Sequence, residues 1–229
     1  MSDPPYDSLD FALVRDPDRL RENQRRLAVA VGFDPARLFQ MRQVHGRELV
    51  VAGGNPSDWL EREADAIVGE PGSGCAVAVR VADCVPVLLA DPRTGRVAAV
   101  HAGWRGVVAD VIGAAVRHLD QKGAGLLAAI GPCIGPCCFE VGADVGETLA
   151  QATTAGAIAR RDEARGKVFV DLRGAVRAQL CALGLSDESI EDVPDRTRAA
   201  CTRCDAKRFY SFRRDADASG RLIGVIVAR

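Results

Sequence analysis

Two imidazoles and one thiol stand at positions where a folded chain could gather them. His45 lies in Gln43-Val-His-Gly46, Cys84 closes Ala82-Asp-Cys84, and His101 opens His101-Ala-Gly-Trp-Arg-Gly106. Strand ends and strand-to-helix turns of this kind let side chains converge on a pocket while the backbone stays rigid. Two histidine nitrogens and a cysteine sulfur form a common set of protein ligands for catalytic zinc, with the fourth tetrahedral position open to water or substrate. Across such distant positions, spacing alone describes two hydrogen-bonded core histidines and a buried thiol at least as well.

Other chemistries use the same residues. Met41, four positions before His45, completes the donor set of a mononuclear copper site, although that offset in an extended run separates the two along the strand. A metal-free hydrolase would use Cys84 as nucleophile, His101 as its base and Asp83 as orienter. Adjacent Asp83 and Cys84 would point to opposite faces of a strand, which argues against a tidy triad. His118, late in an expected helix, reads as a surface or helix-end residue. Cys133, Cys137 and Cys138, and the C-x-x-C of Cys201-Thr-Arg-Cys204, could hold a metal or act in redox chemistry. With no His-rich or second C-x-x-C partner in the sequence, they read as structural thiols.

Positioning these side chains requires strands that end beside them. Apolar runs predict strands at Leu38–Val44, Glu48–Ala52, Ala64–Val68, Cys75–Val81, Val85–Asp91 and Val97–His101, with Pro92-Arg-Thr-Gly95 as a tight hairpin turn. Asp16 before Pro17, and Gly32 at the far end, bracket a helix over Pro17–Gly32. A helix is expected over Val107–Leu119, where Val107, Val108, Val111, Ile112, Ala115, Val116 and Leu119 make one apolar face. Leu126–Ile130 predicts a buried strand, and Gly131 to Cys138 an irregular loop. Helices are expected at Val141–Ala155 and Leu172–Leu183, and an extended segment at Lys167–Val170. The tail predicts strands at Phe209–Arg213 and Leu222–Val227, with a turn near Ser219-Gly220. No regular βαβ rhythm emerges. The expectation is a mixed α/β (α+β) fold, one domain over residues 1–229, with central mixed β-sheets and helices packed outside.

Composition narrows the partners. The 30 basic and 31 acidic side chains leave a net charge of −1, which gives no electrostatic case for nucleic acid. The start, MSDPPYDSLD, has neither the basic nor the apolar region of a signal peptide. The longest apolar stretch, from Ala76 to Ala90, is interrupted by Arg80 and Asp83 and falls short of the about 20 residues of a membrane span. Eight cysteines without an export signal read as reduced thiols. The expectation is a cytoplasmic protein, a monomer, that touches no membrane.

Several motifs in order carry a resemblance. They are Gln43-Val-His-Gly46, Ala64-Asp-Ala-Ile-Val68, Ala82-Asp-Cys-Val-Pro-Val-Leu and His101-Ala-Gly-Trp-Arg-Gly106, then Ile130-Gly-Pro-Cys-Ile-Gly-Pro-Cys-Cys-Phe-Glu-Val-Gly142, Cys201-Thr and Phe209-Tyr-Ser-Phe-Arg-Arg-Asp215. From about Tyr6 onward the chain resembles the laccase-domain family. That family was once labelled multicopper polyphenol oxidase and is now regarded as purine nucleoside phosphorylases; some members are called peptidoglycan-editing factors. The resemblance implies phosphorolysis of adenosine, inosine, guanosine and S-methyl-5′-thioadenosine, and deamination of adenosine. It implies zinc on His45, Cys84 and His101, with copper as the lesser alternative. A true multicopper laccase would need many more than the three histidines present. Family members usually begin with an upstream Ser-Thr-Arg and Gly-Gly segment that this sequence lacks. Asp10 stands where Asn is usual, and Gln24 where Arg is usual.

The implied partners are a purine nucleoside and phosphate. For deamination, zinc lowers the pKa of water toward about 7, and a separate acid/base must serve the leaving amine. Asp83 and Glu140 are the candidates; each could instead cap a turn or orient a histidine ligand. For phosphorolysis, Arg105 offers a forked donor at an expected helix start, which suits phosphate, unless it simply pairs with a surface carboxylate. Arg213 and Arg214 rank behind it. Gln43 and Cys201, in family-like motifs, are expected at the substrate, and Trp104 either stacks on a base or packs in the core. A role in editing peptidoglycan precursors stays open beside these activities.

Overall fold

A computed structural model of the chain describes residues 10–11, 16–120, 123–192 and 200–229. The stretch around Tyr6 that opens the family resemblance lies outside the described residues. Helix α1 (Pro17–Val31) is followed by strands β1 (Leu38–Phe39), β2 (Leu49–Val51), β3 (Ala66–Gly69), β4 (Ala76–Val81), β5 (Val85–Ala90) and β6 (Val97–Ala102). Helices α2 (Trp104–Val108) and α3 (Val111–Leu119) come next, then β7 (Leu127–Ile130), β8 (Glu140–Gly142) and α4 (Ala143–Ala152). Strands β9 (Ile158–Asp162) and β10 (Lys167–Val170), helix α5 (Leu172–Ala182), strand β11 (Ile190–Asp192), helix α6 (Phe212–Asp215) and strand β12 (Leu222–Val227) complete the described chain.

The centre is a mixed sheet in the order β11-β7-β5-β6-β3-β2. A smaller sheet, β1-β4-β12, packs across β5 and β6 on one face, while α3 and α5 cover the other. Period-two alternation explains the layering. Val85, Val87 and Leu89 of β5, with Ala98, Val100 and Ala102 of β6, belong to the core shared with α3 and α5. Leu88, Ala90, Val97 and Ala99 turn to the core between the sheets, with Val77 and Val79 of β4. Strand β4 is therefore covered on both faces, which is why its sequence is an almost unbroken apolar run interrupted by Arg80. The third sheet, β8-β10-β9, lies beside α4. This is the mixed α/β architecture expected, with helices outside mixed sheets.

Local signals at α1 act as read. The Asp16 carboxylate accepts from the N–H groups of Asp18 and Arg19, and Gly32 ends the helix at φ 81°. The hairpin at Pro92 to Gly95 joins antiparallel β5 and β6, and Gly95 takes φ 78°.

Three local expectations need correction. The helix expected over Val107–Leu119 is two helices, because Asp110 turns left-handed at φ 70°. The Val107 carbonyl there accepts from Gln179, and Asp110 pairs with Arg117. An unbroken apolar stripe hid the break, since both pieces face the same core. The strand expected at Phe209–Arg213 is a loop leading into α6, where the Ser211 hydroxyl caps Arg214 N–H. Its aromatic residues mimic a strand, but the capping serine and the tertiary bonds decide. The expected strand Leu38–Val44 ends at Phe39, since the chain bends away toward His45. Strands β8, β9 and β11 were not expected; all three are short and carry polar residues. Among the described residues no helix is long and apolar enough to cross a membrane.

Candidate functional site

At one end of the central sheet, β3 and β6 are antiparallel with Ala66 opposite Val100, which sets Asp65 across from His101. The His101 N–H donates to the Asp65 carbonyl at 2.7 Å. Both side chains take the parity of Ile67 and Ala99, and His101 Nδ1 stands 2.7 Å from Asp65 Oδ1. Asp65 is completely buried. Its carboxylate also accepts the backbone N–H groups of Val44 at 3.2 Å, His45 at 2.9 Å and Gly46 at 2.6 Å. A carboxylate offers about four lone-pair sites, and all are used. Burial pushes this carboxyl's pKa up, but the bonds to His101, Gly46 and Val44 outweigh it and hold it below the ordinary value.

These bonds fold the loop that carries His45. Its backbone sits in the left-handed region at φ 61°, which few residues other than glycine adopt. The imidazole is brought to 4.7 Å from that of His101, ring centre to ring centre and nearly perpendicular. Cys84 precedes β5, and its Sγ lies 3.7 Å from His45 Nε2. One donor atom each from His45, Cys84 and His101 lies within 4.8 Å of the others. A Cβ on Gly103 would come within 2.7 Å of the His45 ring and 3.2 Å of Cys84 Sγ, so the glycine of His-Ala-Gly-Trp leaves the space these ligands occupy.

The donors suit a soft or borderline metal such as zinc. The Asp65 carboxylate accepts a hydrogen bond from His101 Nδ1–H, which leaves Nε2 as the nitrogen available to a metal, an arrangement typical of metal-binding histidines. Burial pushes the Cys84 thiol up, but the charge and hydrogen bonds of His101 and the bond from His45 bring it down to about 6. Burial pulls His101 down, while the Cys84 thiolate and the Asp65 carboxylate raise it to about 9. Without metal, each charge stabilises the other, which favours a thiolate–imidazolium pair.

The three ligands open into a cavity of about 490 Å³. Arg42, Arg80, Arg105, Arg213 and Arg221 line it, with Gln43, Asp83, Trp104, Phe139 and Phe212. Arg42 pairs with Glu63. Arg80 instead donates to the Gln40 amide oxygen at 2.6 Å and the Met41 carbonyl at 3.2 Å. Burial and the neighbouring charge of Arg221 lower its guanidinium to about 10.

Of the residues singled out by sequence, Gln43, Asp83, Arg105 and Arg213 reach the cavity wall, and Glu140 and Cys201 do not. Gln43 clamps the Arg80 backbone, donating to its carbonyl at 2.7 Å and accepting its N–H at 2.8 Å. Arg105 lies over the Trp104 ring. Arg213 donates to the Glu140 carbonyl at 2.8 Å and reaches over Phe139. Asp83, at φ 91°, accepts from the Thr202 hydroxyl and from Arg213 N–H, each at 2.6 Å. The Glu140 carboxylate pairs with Arg165 at 2.9 Å and is not brought to the cavity wall. Cys201 is not on that wall either; it lies in a second group of cysteines. Met41, the copper candidate's axial ligand, is fully buried among Phe39 and Trp59 between the sheets. Arg214 is bound to Asp215 and to the Thr202 carbonyl.

Three contributors escaped the reading of the sequence. Asp65 lay inside a quoted motif, and its signal was an acid at the mouth of an apolar strand. Arg80 and Arg221 frame strands β4 and β12, and Arg80's signal was a guanidinium in a run buried on both faces.

A cluster of soft donor atoms at the end of a central sheet thus faces an arginine-lined cavity. The chain belongs to the family described as multi-copper polyphenol oxidoreductase laccase, which it matches over residues 1–229. It is 37% identical over 226 residues to purine nucleoside phosphorylase YfiH of Shigella flexneri, covering 97% of this chain and 87% of that one. It is 36% identical over 214 residues to adenosine deaminase RL5 of an unknown prokaryotic organism, covering 89% of this chain and 79% of the relative. Its fold superposes on YlmD from Geobacillus stearothermophilus with a TM-score of 0.84 at 29% identity, covering 100% of this chain and 87% of that one.

Two outcomes follow from the geometry. Asp65→Asn places an amide NH2 against backbone N–H donors and loosens His101. Zinc affinity, measured by chelator competition, should fall about 10–100-fold; unchanged affinity in a folded variant would remove Asp65 from this role. The second concerns pH. A thiol whose pKa is lowered stays ionised as pH falls, until about 6 for Cys84. In metal-free protein, alkylation of the Cys84 peptide, followed by mass spectrometry, should be nearly flat from pH 7 to 8.5. A rate rising about tenfold per pH unit over that range would rule out the ion pair.

Proposed function

We propose that the protein is a zinc-dependent purine nucleoside phosphorylase that also deaminates adenosine. The observation that carries the reading is the meeting of His45, Cys84 and His101 at the floor of a cavity lined by arginines. The relatives named above supply the reaction class. A cavity of about 490 Å³ suits a small ligand of nucleoside size.

His45, Cys84 and His101 would hold the zinc. When bound, zinc supplies Lewis acidity, activating water as a nucleophile near neutral pH. The remaining roles belong to the chain's own residues. Asp65 orients His101 and keeps its Nε2 facing the cavity. Arg80 and Arg221 repel one another, and an anion between them and Arg105 or Arg213 relieves that repulsion. Phosphate bound there is set to attack C1′ of a nucleoside whose base stacks on Trp104 or Phe139. Negative charge developing on the departing purine faces this cationic wall.

For deamination, Asp83 is the proposed proton carrier, because it is the carboxylate on the cavity wall. Each of its oxygens accepts one hydrogen bond, and each keeps a second lone pair. Because the Cys84 thiolate must stay reduced to ligate metal, the proposal places the protein in a reducing compartment, the cytoplasm.

A second reading rests on the Asp65–His101–Cys84 alignment, which a metal-free cysteine hydrolase could use. Treatment with a zinc chelator separates the two, because the hydrolase would keep its activity and lose it to thiol alkylation.

Purified protein incubated with adenosine and phosphate should yield adenine, inosine or both by chromatography. Neither product above the level of a His101→Ala control would refute the reading. Arg105→Ala should lower phosphorolysis by at least about tenfold more than deamination, consistent with loss of a charge-assisted hydrogen bond of about 1.5–3 kcal/mol. Equal losses would deny Arg105 a phosphate-specific role.

A further inference from the structure

A second cluster of soft donors lies outside the cavity wall. Cys137 and Cys138 end the irregular loop after β7, and Cys204 follows Cys138 by 66 residues, closing a C-x-x-C turn with Cys201. The four sulfurs all lie within 4.8 Å of one another. Cys204 Sγ is 3.4 Å from Cys138 Sγ and 3.7 Å from Cys137 Sγ. Two sulfurs bound to one tetrahedral zinc at about 2.3 Å stand about 3.8 Å apart, so the spacing is that of ligands around a common centre. All four are free thiols.

Backbone hydrogen bonds hold the cluster together. Gly135 N–H donates to Cys201 Sγ at 3.2 Å, and Cys204 N–H closes the turn on the Cys201 carbonyl at 3.1 Å. Thr202 N–H bonds the Cys133 carbonyl at 3.0 Å, which locks the two segments side by side. The sequence holds no second C-x-x-C; in the fold the adjacent pair Cys137-Cys138 takes its place.

We propose that Cys137, Cys138, Cys201 and Cys204 bind one zinc ion as a closed tetrathiolate site, separate from the His45–Cys84–His101 centre. Four thiolates with no open position make a structural site rather than a catalytic one. Tetrahedral sulfur donors select zinc or iron–sulfur centres, and sulfurs this close surround one ion rather than a cluster. Each cysteine loses its proton to solvent on binding, leaving a net charge of −2 on the site, partly offset by the Gly135 N–H. The ion would staple the loop that carries Ile134 and Phe139 to the segment that carries Thr202 and Arg213. Thr202 and Arg213 hold Asp83, next to the Cys84 ligand. The site therefore braces one wall of the cavity without touching its contents.

Metal analysis of purified protein tests this independently of any nucleoside activity. Wild type should hold two zinc ions per chain, Cys84→Ser one, Cys204→Ser one, and the double variant none. A Cys204→Ser protein that keeps the wild-type zinc content overturns the proposal, as does a Cys84→Ser protein with no zinc. Cobalt loaded into the Cys84→Ser protein should give the intense absorption of tetrathiolate cobalt, and this readout does not require Cys204→Ser to fold. Absence of that spectrum, bound iron in place of zinc, or an intact mass showing a disulfide among these cysteines would each overturn the assignment.

Discussion

The Asp65 carboxylate is the contact on which the site depends. A carboxylate taken wholly out of water is unfavourable unless its lone pairs are met, and here four donors meet them. Hydrogen bonds to charged groups contribute about 1.5–3 kcal/mol each, enough to hold a loop in a conformation it would not choose alone. One side chain at the start of β3 thus does two things. It folds Val44 to Gly46 into the turn that aims His45, and by holding Nδ1 of His101 it leaves Nε2 as the nitrogen available to a metal.

The local backbone records the cost of that precision. His45 at φ 61° and Asp83 at φ 91° are residues other than glycine in the left-handed half of conformational space, and both adjoin or belong to the ligand set. Such strain persists where surrounding bonds over-determine it, and each residue has them: Asp65 holds the first, Thr202 and α6 the second. Gly103 contributes by lacking a side chain, since even one carbon would collide with His45. Donor atoms held in this way would lose little freedom on binding a metal.

Local charge and total charge differ sharply. The chain is nearly neutral, at −1, yet one cavity gathers five guanidinium groups. Glu63 pairs with one of the five, Arg42, and carboxylates elsewhere balance the rest of the sum. Arg80 shows the tension most directly: it lies in a strand buried on both faces and is bonded to an amide and a carbonyl rather than to an acid. A low-dielectric wall lined by cations focuses their field on an anion at that point, which fits the proposed phosphate better than any feature of overall composition.

Residue type and periodicity alone determined the mixed α/β class, the boundaries of α1 and the β5–β6 hairpin, because these depend on neighbours in the chain; His45, Cys84 and His101 were candidates among others until the family resemblance singled them out. The same local rules missed the break at Asp110 and turned α6 into a strand, since a capping serine and long-range bonds outweigh aromatic composition. Tertiary structure decided the rest. It set Asp65 opposite His101 through strand register, turned the Glu140 carboxylate toward Arg165, and drew Arg80 and Arg221 to one cavity from positions far apart in sequence. It also made neighbours of Cys137, Cys138, Cys201 and Cys204. Proximity between distant residues follows from packing and pairing of whole elements, and no window of sequence contains that information.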